Sequence, residues 1–277
     1  MQFKAKIKSM ALHLGVTPQL VLQIFMLERL LERIAKSKYK YNFIFKGGFV
    51  ISSTVGLSTR TTMDLDTTIK NLELNTDNLL NIIKEIVNIN LEDNVNFEIV
   101  SINNIREHFE YPGIRVSFKA LLKTISVPII LDVTTGDIIT PNEINYTHVS
   151  IFDQNKINVL TYNVETILAE KIETILTRSI ANTRLRDYYD IYILVKFNSE
   201  YINFFTLKSA LQNTVKKRNS EYILKDYVNI LNLILNHNKI NALWIRYANT
   251  YLYASNIKFK DIIDLILNIL SDQNCTY

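Results

Sequence analysis

The chain has 277 residues, with 31 Lys+Arg against 27 Asp+Glu and a formal charge of +4, which argues against the strongly basic tails of proteins that coat nucleic acid. At 48% hydrophobic and 21% charged residues it can bury a sizeable core and is not a disordered chain. Six Gly and four Pro speak against collagen-like segments, long flexible linkers and turn-dense sandwiches, so helices should dominate.

Residues 1–16 start with the basic character of a signal peptide, but the apolar stretch is short, holds His13 and lacks a small-residue cleavage site; a mature N-terminus is expected. Thr17 followed by Pro18 is a helix start, and Val21, Ile24, Phe25, Leu27, Leu31 and Ile34 recur at helical spacing, predicting a helix over 18–36. YNFIFKGG reads as a short strand that stops at Gly47-Gly48 and turns sharply into FVISSTV. DLDTTIK predicts a strand, residues 76–90 a helix, and VNFEIVSI, GIRVSFKALL and VPIILDV three more strands between 95 and 134. These runs make an α+β fold with a mixed sheet of about five strands flanked by helices.

From Asn163 onward there is no Gly or Pro, and helical periodicity runs through 163–180, 186–197, 206–217, 221–236 and 258–270. The expected organisation is a sheet-bearing domain over 1–160 and an all-helical domain over 161–277. No window approaches the ~18 uninterrupted apolar residues of a membrane span, since even DIIDLILNIL is broken by Asp264 and Asn268; no membrane association is expected. The single cysteine, Cys275, excludes a disulfide framework or a Cys-based zinc site and suits a reducing cytoplasm.

Asp64 and Asp66 stand two apart in a predicted strand, so the period of two puts both on one face and Leu65 on the other. Two like charges in a cleft favour a divalent cation, and oxygen ligands without nearby His or Cys select Mg2+ or Mn2+. Asp132, at the end of the apolar run VPIIL, would reach the same place from a neighbouring strand, and three aspartates can hold two metals for phosphoryl or nucleotidyl transfer. An exposed strand end is the plain alternative for Asp-x-Asp. Gly47-Gly48 fits a backbone approach to polyphosphate at a helix start, or an ordinary strand-to-helix turn.

Lys171 falls inside the apolar arc formed by Val164, Ile167, Leu168, Ile172 and Ile175, at about 100° per residue. It must snorkel outward or meet an anion, for which a triphosphate would serve. Asp190 is flanked around its helix by Tyr189, Ile193, Leu194 and Phe197. It either forms an i,i+4 pair with Arg186 or turns inward to meet Lys171 or a shared ligand. Lys216-Lys217-Arg218, with Tyr222 and Tyr227 nearby, is a solvated helix end or a contact for nucleic acid. A metal-dependent phosphohydrolase would need clustered histidines, whereas His13, His108, His148 and His237 are scattered.

KGGFVISSTVGLSTRTTMDLDTTI resembles the first motif of the AbiEii/AbiGii-type nucleotidyltransferase toxins, a Gly-Gly turn followed by R-x-[ST]-x-D-x-D. IILDVTTGDIITP resembles their third-carboxylate strand, ETILAEKIETILTR their lysine helix and RLRDYYDIYIL their final aspartate helix, four blocks in order over 46–194. The resemblance implies a polymerase-β-like nucleotidyltransferase core and a toxin that arrests growth in a toxin–antitoxin or abortive-infection system. It implies an NTP donor, an RNA acceptor, most of all tRNA as in the related MenT group, and a cognate antitoxin protein. By resemblance Asp64 and Asp66 hold Mg2+ with Asp132 as third ligand. Gly47, Gly48, Arg60 and Lys171 bind nucleotide, and Asp190 completes the catalytic set. Many members have Gly-Ser where this chain has Gly47-Gly48, so the serine contact to phosphate is either missing or replaced by Ser52 or Ser53. The contrasting reading is a non-catalytic nucleotide- or RNA-binding interaction protein of the same fold.

Overall fold

Alternating apolar and polar residues along the strand runs build a sheet with two unlike faces. The computed structural model describes residues 2–56, 58–105 and 113–271; His108, Cys275 and Leu57 of the Gly-Gly block lie outside them. Its elements in chain order are α1 (Gln2–Leu14), α2 (Pro18–Lys36), β1 (Phe43–Lys46), α3 (Gly47–Val55), β2 (Asp64–Ile69) and α4 (Thr76–Val87). Then follow β3 (Val95–Ile105), β4 (Gly113–Leu122), β5 (Ile125–Thr135), β6 (Ile144–Val149) and β7 (Lys156–Thr161). Last come α5 (Val164–Arg178), α6 (Leu185–Asn198), α7 (Phe204–Lys217), α8 (Ile223–Leu235), α9 (Asn238–Thr250) and α10 (Phe259–Ser271).

Among the described residues the sheet has seven strands in the order β3-β4-β5-β2-β1-β7-β6. The fold is α+β as expected, with two strands more than the sequence pattern predicts. The pairs β2–β5 and β1–β7 are parallel and the others antiparallel. The register aligns Phe43, Phe45, Leu65, Leu131, Val133 and Val116 on one face, all buried. Against it pack α2, α3 and α4. Each large side chain sealed there contributes about 1.5–3 kcal/mol.

Polar groups tie these helices down. Arg33 of α2 grips both oxygens of Asp93 (2.8 and 2.9 Å) and the Val95 carbonyl (2.7 Å) at the start of β3. Glu28 is buried, and its carboxylate accepts from His148 Nε2 (2.9 Å), Ser150 Oγ (2.7 Å) and the Ile151 amide (2.9 Å). A buried carboxylate is tolerable when so fully bonded, and here it locks the β6–β7 connection to α2. The N-terminal segment forms α1, whose Ile7 and Ala11 pack with Val21, Phe152 and Leu14. Among the described residues no single helix is long and apolar enough to cross a membrane.

The chain divides into two compact units, residues 1–137 with 143–162 and residues 138–142 with 163–277. The short excursion 138–142 belongs with the helices because Thr140 is held there. Its amide donates to Thr166 Oγ1 (3.1 Å), its carbonyl accepts from Asn163 (2.7 Å), and its hydroxyl accepts from Asn213 (3.0 Å). In the helical unit α5, α6, α7, α8 and α10 fall where periodicity places them, and α9 is additional.

Candidate active site

The sheet face opposite α2 and α3 carries the charges. Strand pairing puts Lys46 opposite Asp66, Asp66 opposite Asp132, and Asp132 opposite Arg115, one polar row across four strands. Asp64 lies two residues along β2 on the same face, and both Asp64 and Asp66 are half-buried while Leu65 between them is fully buried. The period-two reading of this strand is therefore correct.

Arg115 grips Asp132 with Nε and Nη2, each at 2.8 Å from a carboxylate oxygen. The hydrogen bond to Asp132 raises the pKa of the guanidinium, and the charges of Asp64 and Asp66 raise it further. Sequence reasoning overlooks Arg115, although its place in an alternating strand beside an aspartate strand is a usable signal. Among the described residues no three His, Cys, Asp or Glu side chains are grouped to hold a metal ion. Asp64 and Asp66 nevertheless fit a hard divalent cation, because two carboxylates suffice for Mg2+ where phosphates and water complete the shell.

The glycines explain themselves through contacts. Gly47 has φ +65°, and a Cβ there would run into Asp66 Oδ2; at Gly48 a Cβ would lie 2.8 Å from Thr62 Oγ1 and 3.1 Å from Arg60 Nη2. Only bare backbone lets the start of α3 rest against Asp66, Thr62 and Arg60. That start has no side-chain cap, so its first amides depend on another acceptor. Arg60 is buried and its Nη1 donates to the Thr61 carbonyl. The two serines are committed elsewhere: Ser52 Oγ donates to the Phe49 carbonyl (2.9 Å) and Ser53 Oγ pairs with His148 Nδ1 (3.1 Å).

Beside this row lies a second buried group that the sequence pattern does not reveal. Asp137 Oδ2 accepts from Lys46 Nζ, from Thr134 Oγ1 (2.9 Å) and from the Tyr162 hydroxyl (2.9 Å). Burial pushes the Asp137 carboxyl up, but the charge and hydrogen bonds of its partners outweigh that and bring it down to about 2.

In the helical unit, Lys171 Nζ of α5 meets two aspartates of α6, Asp187 Oδ1 at 2.9 Å and Asp190 Oδ2 at 2.8 Å. The lysine side chain is 14% exposed and those of the aspartates 6% and 0%. Of the readings left open, the inward one holds: Asp190 turns in to Lys171. Asp187 is a residue that sequence reasoning overlooks, yet its place three residues before Asp190 puts both on one helical face. Arg218 is occupied as well, by Glu170 (2.9 Å) and Glu173 of α5.

A mixed sheet that sets paired aspartates of one strand beside a glycine-glycine helix start is the arrangement expected from the resemblance to nucleotidyltransferases. The chain belongs to the AbiEii family: residues 29–265 match the family described as nucleotidyl transferase AbiEii toxin, type IV TA system. Two solved structures are similar to it. JHP933 from Helicobacter pylori is 19% identical, with a TM-score of 0.50, over 93% of this chain and 95% of that one. A candidate nucleotidyltransferase from H. pylori is 16% identical, with a TM-score of 0.52, over 94% of this chain and 96% of that one. At such identities the likeness establishes the fold alone. No curated protein matches the chain.

Proposed function

We propose that the chain transfers a nucleotidyl group from an NTP to an RNA acceptor, tRNA first among candidates, and thereby arrests growth until a cognate antitoxin protein neutralises it. The cytoplasm, where NTPs and tRNA meet, is the proposed compartment. The observation that carries this reading is the seat of Asp66 against the bare backbone of Gly47, with Asp64 beside it on one strand face. The carboxylates proposed to hold metal and the amides proposed to face phosphate would then act side by side.

In the proposed reaction the acceptor hydroxyl attacks the α-phosphorus of the NTP, an ester bond forms, and pyrophosphate departs. Asp64 and Asp66 would hold Mg2+ or Mn2+, which supplies charge neutralisation at the phosphates and a lowered pKa at the attacking hydroxyl. The amides at the start of α3 offer hydrogen bonds to phosphate oxygens, the geometry in which helix starts bind anions. Arg60, fixed behind Gly48, adds a positive charge there. Arg115 engages Asp132 bidentately, so the role of third metal ligand proposed for Asp132 requires that grip to loosen. Lys171 is proposed to contact the triphosphate and Asp190 to orient it through their ion pair.

The test is incubation of purified protein with each labelled NTP, Mg2+ and total RNA. Label should enter a small RNA band with the wild type and not with Asp64→Ala or Asp66→Ala of unchanged melting temperature. Transfer by either variant at the wild-type rate contradicts the assignment.

A further inference from the structure

At the β6–β7 edge lies a groove of about 530 Å3 that the proposed chemistry leaves unused, bounded by the end of α2, the connection into β1 and the outer hairpin. Its lining includes exposed Lys36, Lys40 and Lys156 together with the neutral polar Asn145 and Asn158. Glu32 is the single carboxylate among its lining residues. Its charge is met by the buried Arg29 (3.1 Å), so Lys36, which reaches it at 2.9 Å from a side chain 57% exposed, can exchange that contact for a phosphate. Tyr41 is 65% exposed, with the Lys40 ammonium 4.6 Å from its ring centroid.

This combination selects its occupant. Ammonium groups suit a repeated anion, side-chain amides suit sugar and base edges, and an exposed ring offers a face on which an unpaired base can stack. An acidic peptide would satisfy the lysines but make no use of the tyrosine face. The groove wraps the sheet edge: Ile157 and Val159 line it from the face that α2 covers, while pairing places Asn158 and Leu160 on the same face as Ile44 and therefore as Asp66. β7 is separated from β2 by β1 alone, a lateral step of about 10 Å, and the registers put Asn158 four residues, about 13 Å, along the strands from the level of Asp66, a span that a few nucleotides of extended RNA cover.

We propose that this groove binds the acceptor RNA as a single strand, with Lys36, Lys40 and Lys156 on its phosphates and Tyr41 under an unpaired base. The inference rests on the reading that RNA is the acceptor. The experiment measures binding of a fluorescent single-stranded RNA oligonucleotide by anisotropy over a salt series, and transfer from NTP in parallel. The triple variant Lys36→Gln, Lys40→Gln, Lys156→Gln should bind RNA at least about tenfold more weakly and lose about 2 units of slope in log K against log salt, near 0.7 per phosphate contact. Tyr41→Ala, at a position 65% exposed and checked by an unchanged melting temperature, should weaken binding about tenfold with an unchanged salt slope.

Wild-type affinity and slope in the triple variant, with transfer intact in the wild type, would overturn the groove and leave the acceptor reading standing. Loss of binding in the variants alongside a wild type that transfers nothing would uphold the groove and overturn the acceptor reading. Polyglutamate of equal length competing as well as RNA, with Tyr41→Ala without effect, would overturn the RNA assignment in favour of an acidic protein partner.

Discussion

Gly47 carries two separate constraints, a left-handed backbone at φ +65° and a Cα pressed against Asp66. Gly47→Ala should therefore lose about 1–3 kcal/mol of stability from backbone strain. It should also displace the Asp66 carboxylate, and a misplacement near 1 Å costs about a hundredfold in rate. Gly15 is the control, because it shares φ +65° but an added Cβ would meet nothing within 4 Å. Gly15→Ala should lower the melting temperature and leave transfer unchanged. Equal transfer by the two variants would contradict the role given to Gly47. Asp137 makes a different forecast. Its folded pKa of about 2 lies below the ordinary aspartate value of 3.8, so the stability it adds is present above pH 3.8 and is lost as pH falls toward 2. The shift corresponds to about 2 kcal/mol. Asp137→Asn should be less stable than the wild type at pH 7, and the difference should shrink across that window. A constant difference from pH 7 to pH 2 would contradict the assignment.

Between elements, one ammonium between two aspartates ties α5 to α6. Removing one member of a buried ion pair costs about 3–5 kcal/mol because the other charge is stranded. Lys171→Met should thus lower stability by that order, and adding Asp187→Asn and Asp190→Asn should restore much of it. A melting temperature unchanged in Lys171→Met would show that the ammonium is not needed to hold the helices. Helical spacing makes the inward position of Lys171 legible, but not its partners, because a wheel reports direction and not what lies opposite. The strands show a similar limit. The alternation of β2 is plain in the sequence, whereas β6 and β7 escape notice although KINVLT alternates exposed and buried along its length. β6 is a short edge strand and β7 beside it is as short, and their exposed positions include Asn145, Thr147, Lys156 and Asn158, which leaves too little apolar signal to stand out. Lys46 and Asp137 stay hidden for another reason: 91 residues separate them, and only the sheet brings them together.

For the molecule as a whole, the order of most elements and the four motif blocks are legible in the sequence, while α1, β6, β7 and α9 and the pairings that build the charged row are not. Membership of a toxin family gives a test in cells. Expression in bacteria should arrest growth, and Asp64→Ala at matched abundance should not; equal arrest by both would show that chemistry at Asp64 is not the cause. The reaction itself is decided by following the phosphorus. The protein is incubated with RNA, Mg2+ and an NTP labelled either at the α- or at the γ-phosphorus. Nucleotidyl transfer predicts that the α label enters RNA and that the γ label leaves as pyrophosphate. Entry of the γ label into RNA, or its release as free phosphate without α transfer, would contradict the account.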